Sequence, residues 1–232
     1  MKQSFIFLFF LFPILSKAQE GFRIGPSLQY ATSKPSVIDS LPTNFNFRFR
    51  SGLSTGIHLH YGFSPKFSIS LGGRFVSKGY RVFNDTNSNG NVVKHNQNHI
   101  EIPLLISYKH RLNSVAFIRE NIGMTFSQLM DSKSVSTSNK NGTFKITETN
   151  EKKINPLFTL GLEVGNESKR GNVFLFGVYY KHSFSELTKL NVYNSNSSTK
   201  PYFNLNFKGS YLSLGVTYLF KLNLKPKDEF FY

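Results

Sequence analysis

The links between the hydrophobic segments constrain the fold of this chain more than any other feature of its sequence. Three links are tight, at 64–65, 112–113 and 168–170, and four are long and rich in Asn, Ser, Thr and Lys. The long links cover 32–47, 84–96, 131–153 and 185–206, so that short and long links alternate strictly. Short turns at one rim and long loops at the other are typical of an up-and-down barrel.

The segments between these links alternate apolar and polar residues with a period of two, which indicates β-strands. In the last segment Leu214, Val216 and Tyr218 lie on one face, whereas Ser213 and Gly215 lie on the other. Eight such segments cover roughly 21–31, 48–63, 66–83, 97–111, 114–130, 154–167, 171–184 and 207–222. We therefore predict an all-β fold, an eight-stranded antiparallel up-and-down transmembrane β-barrel.

The residue types on the two faces indicate which face points outward. The polar face carries mostly Gly, Ser, Thr and His, whereas a face exposed to water would normally carry more Lys and Glu. Small polar residues suit the crowded interior of a narrow barrel. Aromatic residues form 16% of the chain and gather toward the strand ends, as the girdles of a membrane barrel do. The alternative is a soluble secreted barrel of the lipocalin type that binds a lipophile.

The N-terminus predicts export. Residues 1–18 have the form of a secretory signal peptide, in which Lys2 precedes an apolar run over 5–12 and small residues follow at 16 and 18. The apolar run is too short for a permanent membrane anchor. We predict that this signal peptide is removed and that the mature chain begins at Gln19.

The remaining chain divides into a barrel and a short tail. We predict the outer-membrane β-barrel over 19–224 and a periplasmic C-terminal tail over 225–232, because Pro226 ends the last strand. With eight strands both termini fall on the short-turn side, which faces the periplasm in outer-membrane barrels. The expected location is the outer membrane of a Gram-negative bacterium.

Two adjacent strands carry the resemblance of this chain to a known family. Residues 100–108, IEIPLLISY, resemble the LEIPLLLKY strand of the outer-membrane β-barrel domain of Bacteroidetes, the broad family that includes PorT-like proteins. Residues 72–80 resemble the preceding strand of that family, and Gly123 lies where the family has a glycine-centred strand. The resemblance implies an outer-membrane barrel and little about activity. PorT members take part in protein export, and no motif here singles out that subgroup.

The polar face would line the lumen and carry a network of charges. Ion pairs are expected there, because unpaired charges are costly in a low-dielectric interior. We expect Glu101 and Glu163 to bridge to neighbours such as Arg74 and Arg119. The predicted lumenal charge network comprises Arg23, Arg74, Glu101, Lys109, Arg119, Glu163 and Lys181. Since an eight-stranded interior is just wide enough to be filled by side chains, we predict a plug, with a proton or ion path as the alternative.

His58 and His60 share the polar face at strand spacing and are predicted to be lumenal polar residues. A zinc site needs three or four ligands, and the sequence places no third ligand beside them. We therefore predict no metal and no cofactor. We also predict no catalytic residues and no enzymatic activity, because no combination of nucleophile, base and orienting group is visible.

The basic charge does not indicate a nucleic-acid partner. The formal net charge is +15, but Lys and Arg are scattered over loops, lumen and turns, without a stripe or a recognised binding motif. The expected partners are outer-membrane lipid and a surface ligand bound by the loops. A role as an accessory subunit of an outer-membrane export or assembly complex is the second interpretation.

Glu120 breaks the pattern of its strand. In the phase set by Ile118 and Ile122 its side chain points at lipid, where an acid is unfavourable. A β-bulge nearby would reverse the phase. We expect such a bulge; pairing with a neighbour or with a partner protein is the alternative.

Overall fold

A computed structural model describes residues 21–33, 45–84, 92–136, 144–150, 154–185, 188–194, 203–207 and 209–222. The predicted signal peptide (1–18) and C-terminal tail (225–232) lie outside these ranges. Within them, no helix is long and apolar enough to cross a membrane.

The described residues form eleven strands, and eight of them close into an antiparallel barrel. The barrel strands are β1 (Gly21–Ser33), β2 (Phe45–Gly62), β3 (Phe67–Asn84), β4 (Val92–Arg111), β5 (Ala116–Ser136), β7 (Ile154–Glu167), β8 (Val173–Ser183) and β11 (Tyr211–Leu222). Their hydrogen-bonded order is β1-β11-β8-β7-β5-β4-β3-β2, and β2 closes the ring on β1. The predicted fold class is confirmed.

Two of the long links contain strands of their own, which the period-two analysis did not separate from loops. These are β6 (Phe144–Asn150), β9 (Thr188–Asn194) and β10 (Phe203–Phe207). They pair antiparallel into a second, three-stranded sheet in the order β10-β9-β6. These strands are only five to seven residues long, so each gives too short an alternation to be distinguished from the surrounding loop.

Burial alternates along every barrel strand, and the apolar face is the outer one. On the outside, Ile57 is 60% exposed and Leu162 is 54% exposed, whereas Glu101 and Lys181 inside are fully buried. A soluble barrel would present the opposite distribution, because water favours polar groups on its outer face. The outward apolar wall therefore suits a lipid environment.

Tight turns close one rim of the barrel. In the turn between β4 and β5, the side-chain Oδ1 of Asn113 accepts hydrogen bonds from the backbone of Val115 and Ala116, at 2.8 and 2.7 Å. Gly171 in the turn between β7 and β8 has a φ of 79°, which favours glycine. Inside this rim lies an apolar cluster of Phe117, Val173, Leu175 and Leu219, and a second cluster of Ala31, Val76, Leu157 and Tyr211 lies nearer the other rim. The charged side chains of the lumen lie mainly between them.

The strand ladder is unbroken around Glu120. β4 and β5 keep one register from His99 to Arg111, and β5 and β7 keep one register from Ala116 to Gln128. The predicted bulge beside Glu120 is therefore wrong, and its carboxylate faces outward. The register between β4 and β5 shifts only on the far side of His99.

Candidate functional site in the barrel lumen

The charged side chains predicted for the lumen point inward and are buried, because they alternate with outward apolar residues along each strand. They are Arg23, Arg74, Glu101, Lys109, Arg119, Glu163 and Lys181. Direct contacts place six of them in three groups that follow one another from the short-turn rim inward, whereas Arg74 binds His58 and Gln29.

The first group gathers around Glu167 at the end of β7. Its carboxylate meets Arg23 at 2.7 Å, Arg111 at 3.0 Å and Lys109 at 3.7 Å. Arg23 also donates from Nε to the carbonyl oxygen of Gly171, at 3.0 Å. Glu167 thus connects β7 with β1 and β4, and Arg23 links this group to the turn between β7 and β8.

The second group surrounds Glu163, whose two carboxylate oxygens are both occupied. Oε2 accepts from Arg119 Nε at 2.5 Å and from Asn121 Nδ2 at 2.8 Å. Oε1 accepts from the hydroxyl of Tyr179. All four side chains are buried. Each carboxylate oxygen of Glu163 accepts at least one hydrogen bond, and one of the donors is a charged guanidinium.

Two glycines make room for this group. A Cβ at position 177 would lie 2.7 Å from Cγ of Glu163, and a Cβ at position 161 would lie 2.5 Å from the ring of Tyr179. Both glycines share the inward phase of their strands. The lumen can therefore hold a large tyrosine and a glutamate side by side only because the neighbouring inward positions carry no side chain.

His58 and His60 act as acceptors for two arginines. Arg74 donates from Nε to His58 Nε2 at 2.6 Å, and Arg119 donates from Nη1 to His60 Nδ1 at 3.1 Å. His60 Nδ1 also contacts the hydroxyl of Ser70 at 2.9 Å. A ring nitrogen that accepts from a guanidinium carries no proton, so both imidazoles bind lumenal cations here.

Arg74 does not form the carboxylate bridge that the sequence led us to expect. Its Nη1 donates to Gln29 Oε1 at 2.9 Å, and its guanidinium carbon lies 5.5 Å from the ring centroid of Tyr179. Glu101, its register partner on β4, turns instead toward Lys181. The strand register places Arg74 beside a carboxylate, but the lysine reaches that carboxylate from across the lumen.

The third group is centred on Glu101. Its Oε2 accepts from Lys181 Nζ and from the hydroxyl of Tyr211, both at 2.5 Å, and Lys181 also donates to that hydroxyl. Lys78 Nζ lies 4.6 Å from the ring centroid of Tyr211 and donates to the carbonyl oxygen of Gly209 at 3.3 Å. Two lysines therefore share the neighbourhood of one carboxylate.

Some buried polar atoms on one side of the lumen have no hydrogen-bond partner. Among the described residues they are Gln29 Nε2, Ser54 Oγ, Arg74 Nη2 and Glu101 Oε1. They belong to β1, β2, β3 and β4, which are adjacent in the barrel. Buried polar groups are normally hydrogen-bonded. The polar atoms on this side of the lumen are therefore less completely hydrogen-bonded than those around Glu163.

Six residues of these groups lie outside the charge network that we predicted from the sequence: Lys78, Arg111, Asn121, Glu167, Tyr179 and Tyr211. The alternation could have revealed the tyrosines, because Tyr179 is in phase with Lys181 and Tyr211 is in phase with Ser213. Glu167 is in phase with Glu163.

His99 contacts two polar side chains nearer the long-loop rim. There Ser127 Oγ contacts His99 Nδ1 at 3.1 Å, and Gln97 Oε1 lies 3.4 Å from His99 Nε2. All three side chains are buried. Across the described part of the chain, no group of three His, Cys, Asp or Glu is placed to hold a metal ion.

Comparison with known proteins agrees with this geometry. The family model described as "Outer membrane protein beta-barrel domain" matches residues 11–189. The chain belongs to this family. No curated protein sequence matches the chain significantly.

This outer-membrane β-barrel is similar to solved structures of other outer-membrane proteins. OprG from Pseudomonas aeruginosa is 14% identical with a TM-score of 0.58, and the match covers 88% of this chain and 99% of OprG. Ail, the attachment invasion locus protein of Yersinia pestis, is 13% identical with a TM-score of 0.39, and the match covers 86% of this chain and 99% of Ail. The likeness to OprG shows the fold and nothing beyond it.

Proposed function

We propose that this outer-membrane β-barrel is a non-enzymatic surface protein whose lumen is a plug and whose long loops present a binding surface outside the cell. The observation that carries the proposal is the second sheet, β10-β9-β6, which the two longest links build. A loop that folds into paired strands presents a defined surface, whereas a flexible loop must lose conformational entropy when it binds.

The lumen supports a plug. Glu101, Glu163 and Glu167 each pair with cations from other strands, and two apolar clusters lie toward the two rims. An eight-stranded barrel has an interior that side chains can fill. The alternative, an ion or proton path, would require these pairs to separate in a low-dielectric interior, which is costly.

The processing and orientation follow from the chain ends. In this proposal a signal peptide over 1–18 is removed, the barrel covers 19–224, and a tail over 225–232 lies in the periplasm with the N-terminus. The short turns then face the periplasm and the long loops face the outside of a Gram-negative cell, as in other outer-membrane barrels. Outer-membrane lipid is the partner of the outer wall.

Cysteine labelling tests this orientation, because the chain contains no cysteine. Asn191→Cys lies in β9 of the loop sheet, and Lys169→Cys lies in a short turn. A membrane-impermeant maleimide should label the first variant on intact cells and the second only after the outer membrane is opened. The reverse pattern would overturn the proposed orientation. If neither variant were labelled even after the outer membrane is opened, the proposed exposure of the loop sheet and of the short turn would be wrong.

Planar-bilayer recording tests the plug. The folded barrel should show no sustained single-channel conductance, because paired charges and apolar clusters fill its interior. Regular conductance steps from the unaltered protein would contradict the plug and favour the ion path.

A second candidate function is that of an accessory subunit of an export or assembly complex, in a PorT-like subgroup of Bacteroidetes barrels. The edge strands β6 and β10 of the loop sheet favour it, because an unpaired strand edge can accept a strand of another protein. Pull-down from mild detergent should recover a stoichiometric partner in this case; recovery of the barrel alone favours the surface-binding role.

A further inference from the structure

Glu120 is a carboxylate on the outer wall that the lumenal network does not use. Its side chain is 61% exposed, and its Oε1 lies 3.4 Å from Nε2 of His110, whose side chain is 48% exposed. That histidine is a cation only when it is protonated. A carboxylate that faces lipid is unfavourable, and charged residues in such positions are expected to find a partner of opposite charge.

An apolar depression of about 810 Å³ in the outer wall includes Glu120 in its border. Two neighbouring rungs of cross-strand pairs form its sides. One rung runs through Tyr108, Glu120 and Leu162, and the other runs through Ile106, Ile122 and Leu160. Glu120 is thus the acidic member of two rows that are otherwise apolar or aromatic.

The depression is long and crosses the wall obliquely. It extends from Phe67, at the short-turn end of β3, to Leu212, at the opposite end of β11. These strands are separated by the steps β3-β4-β5-β7-β8-β11. At ~4.8 Å per step the depression is about 24 Å long, whereas one leaflet contributes about half of a hydrocarbon core of ~30 Å. An acyl chain that lies obliquely therefore fits along it.

We propose that this depression binds one phospholipid with a primary ammonium headgroup, of the phosphatidylethanolamine class. The ammonium lies against the Glu120 carboxylate near the short-turn rim, and one acyl chain follows the two apolar rungs. A primary ammonium supplies both the missing charge and N–H donors for the carboxylate oxygens. The aromatic ring of Tyr108, the register partner of Glu120, adds a favourable surface for a cation.

Native mass spectrometry can measure this preference. The folded barrel in detergent receives equal amounts of POPE, POPG and POPC, and the bound lipid is counted. We expect POPE to be retained about fivefold or more over the other two lipids, since one ion pair near the membrane surface has about that effect. POPC is the informative competitor, because its quaternary ammonium carries charge but no N–H donor.

Variants separate the contribution of the lipid headgroup from that of the acyl chain. Glu120→Gln should abolish the POPE preference, and Glu120→Lys should transfer it to POPG. Asp131→Asn removes the same charge from the same strand and should leave the preference intact. Leu160→Trp keeps the carboxylate but fills the apolar side, and should lower the retention of all three lipids alike. The heat-dependent shift on an unboiled gel shows that each variant is folded.

Several results would overturn the proposal. Equal retention of the three lipids by the unaltered barrel would remove the preference, and a POPE preference that survives Glu120→Gln would assign it to another site. Unchanged retention in Leu160→Trp would place the acyl chain elsewhere. A protein that copurifies with the barrel and is lost in Glu120→Gln would assign this surface to a protein partner instead of a lipid.

Discussion

The two lumenal carboxylates Glu163 and Glu101 lie in the same barrel but in different surroundings. Both oxygens of Glu163 accept hydrogen bonds, and its cation is an arginine. Glu101 receives both of its donors on Oε2, its cation is a lysine, and its Oε1 has no partner among the described residues.

The two groups differ in the number of carboxylate oxygens that accept hydrogen bonds and in whether the paired cation can lose its proton. An arginine keeps its charge when buried, whereas a buried lysine can release its proton. In the Glu163 group, removal of either Arg119 or Glu163 therefore leaves the other charge without its counterion. The Glu101 group has a second lysine nearby and an oxygen without a hydrogen-bond partner, so its charges can rearrange when one member is removed.

The largest effect is expected for Glu163→Ala. Removal of this carboxylate leaves Arg119 buried without a counterion, which should cost about 3–5 kcal/mol of unfolding free energy. Urea unfolding of the barrel in lipid vesicles measures this. The double variant Glu163→Ala/Arg119→Met should recover most of the loss, because it removes the uncompensated charge; no recovery would show that the loss comes from the cavity alone.

A smaller loss, about 2–3 kcal/mol, is expected for Glu101→Ala in the same assay, because Lys181 can become neutral by releasing its proton. If Glu101→Ala lowers the unfolding free energy more than Glu163→Ala does, the stated difference between the two groups is wrong. Lys181→Met provides the matched control, since it removes the cation and leaves the carboxylate with Tyr211.

Tyr179→Phe removes the donor to Oε1 of Glu163 and leaves that oxygen without a hydrogen-bond partner, as Oε1 of Glu101 is. The loss of one hydrogen bond to a charged acceptor should cost about 1.5–2 kcal/mol. Tyr211→Phe is its counterpart at Glu101. If both substitutions left the urea midpoint unchanged, the tyrosine hydroxyls would contribute nothing to either group.

The smallest effect is expected on the outer wall, where Glu120→Gln should change the stability by less than about 0.5 kcal/mol. Its ion pair with His110 is largely exposed, unlike the lumenal pairs. A loss of the size expected for Glu163→Ala would mean that the contrast between lumen and outer wall is wrong.

Much of the fold could be read from the sequence, because β-strand alternation is a local property. The eight barrel strands and the three tight turns lie where the period-two segments and short links predicted them. The loop sheet could not be predicted in this way, since β6, β9 and β10 are short and their pairing joins links that are far apart in the chain. The bulge predicted beside Glu120 is wrong, because the ladder is unbroken there and the outward carboxylate lies beside His110 instead.

The sequence by itself determined the number of barrel strands, their order along the chain and the inward face of the predicted lumenal charges, because these depend on residues one or two positions apart. Only the tertiary structure decided which charges meet. Glu101 and Lys181 are 80 positions apart, and closure of the sheet brings them to 2.5 Å. Arg119 and Glu163 are register partners on adjacent strands, whereas the partner of Glu101 depends on reach across the lumen, which no pattern along a single strand contains.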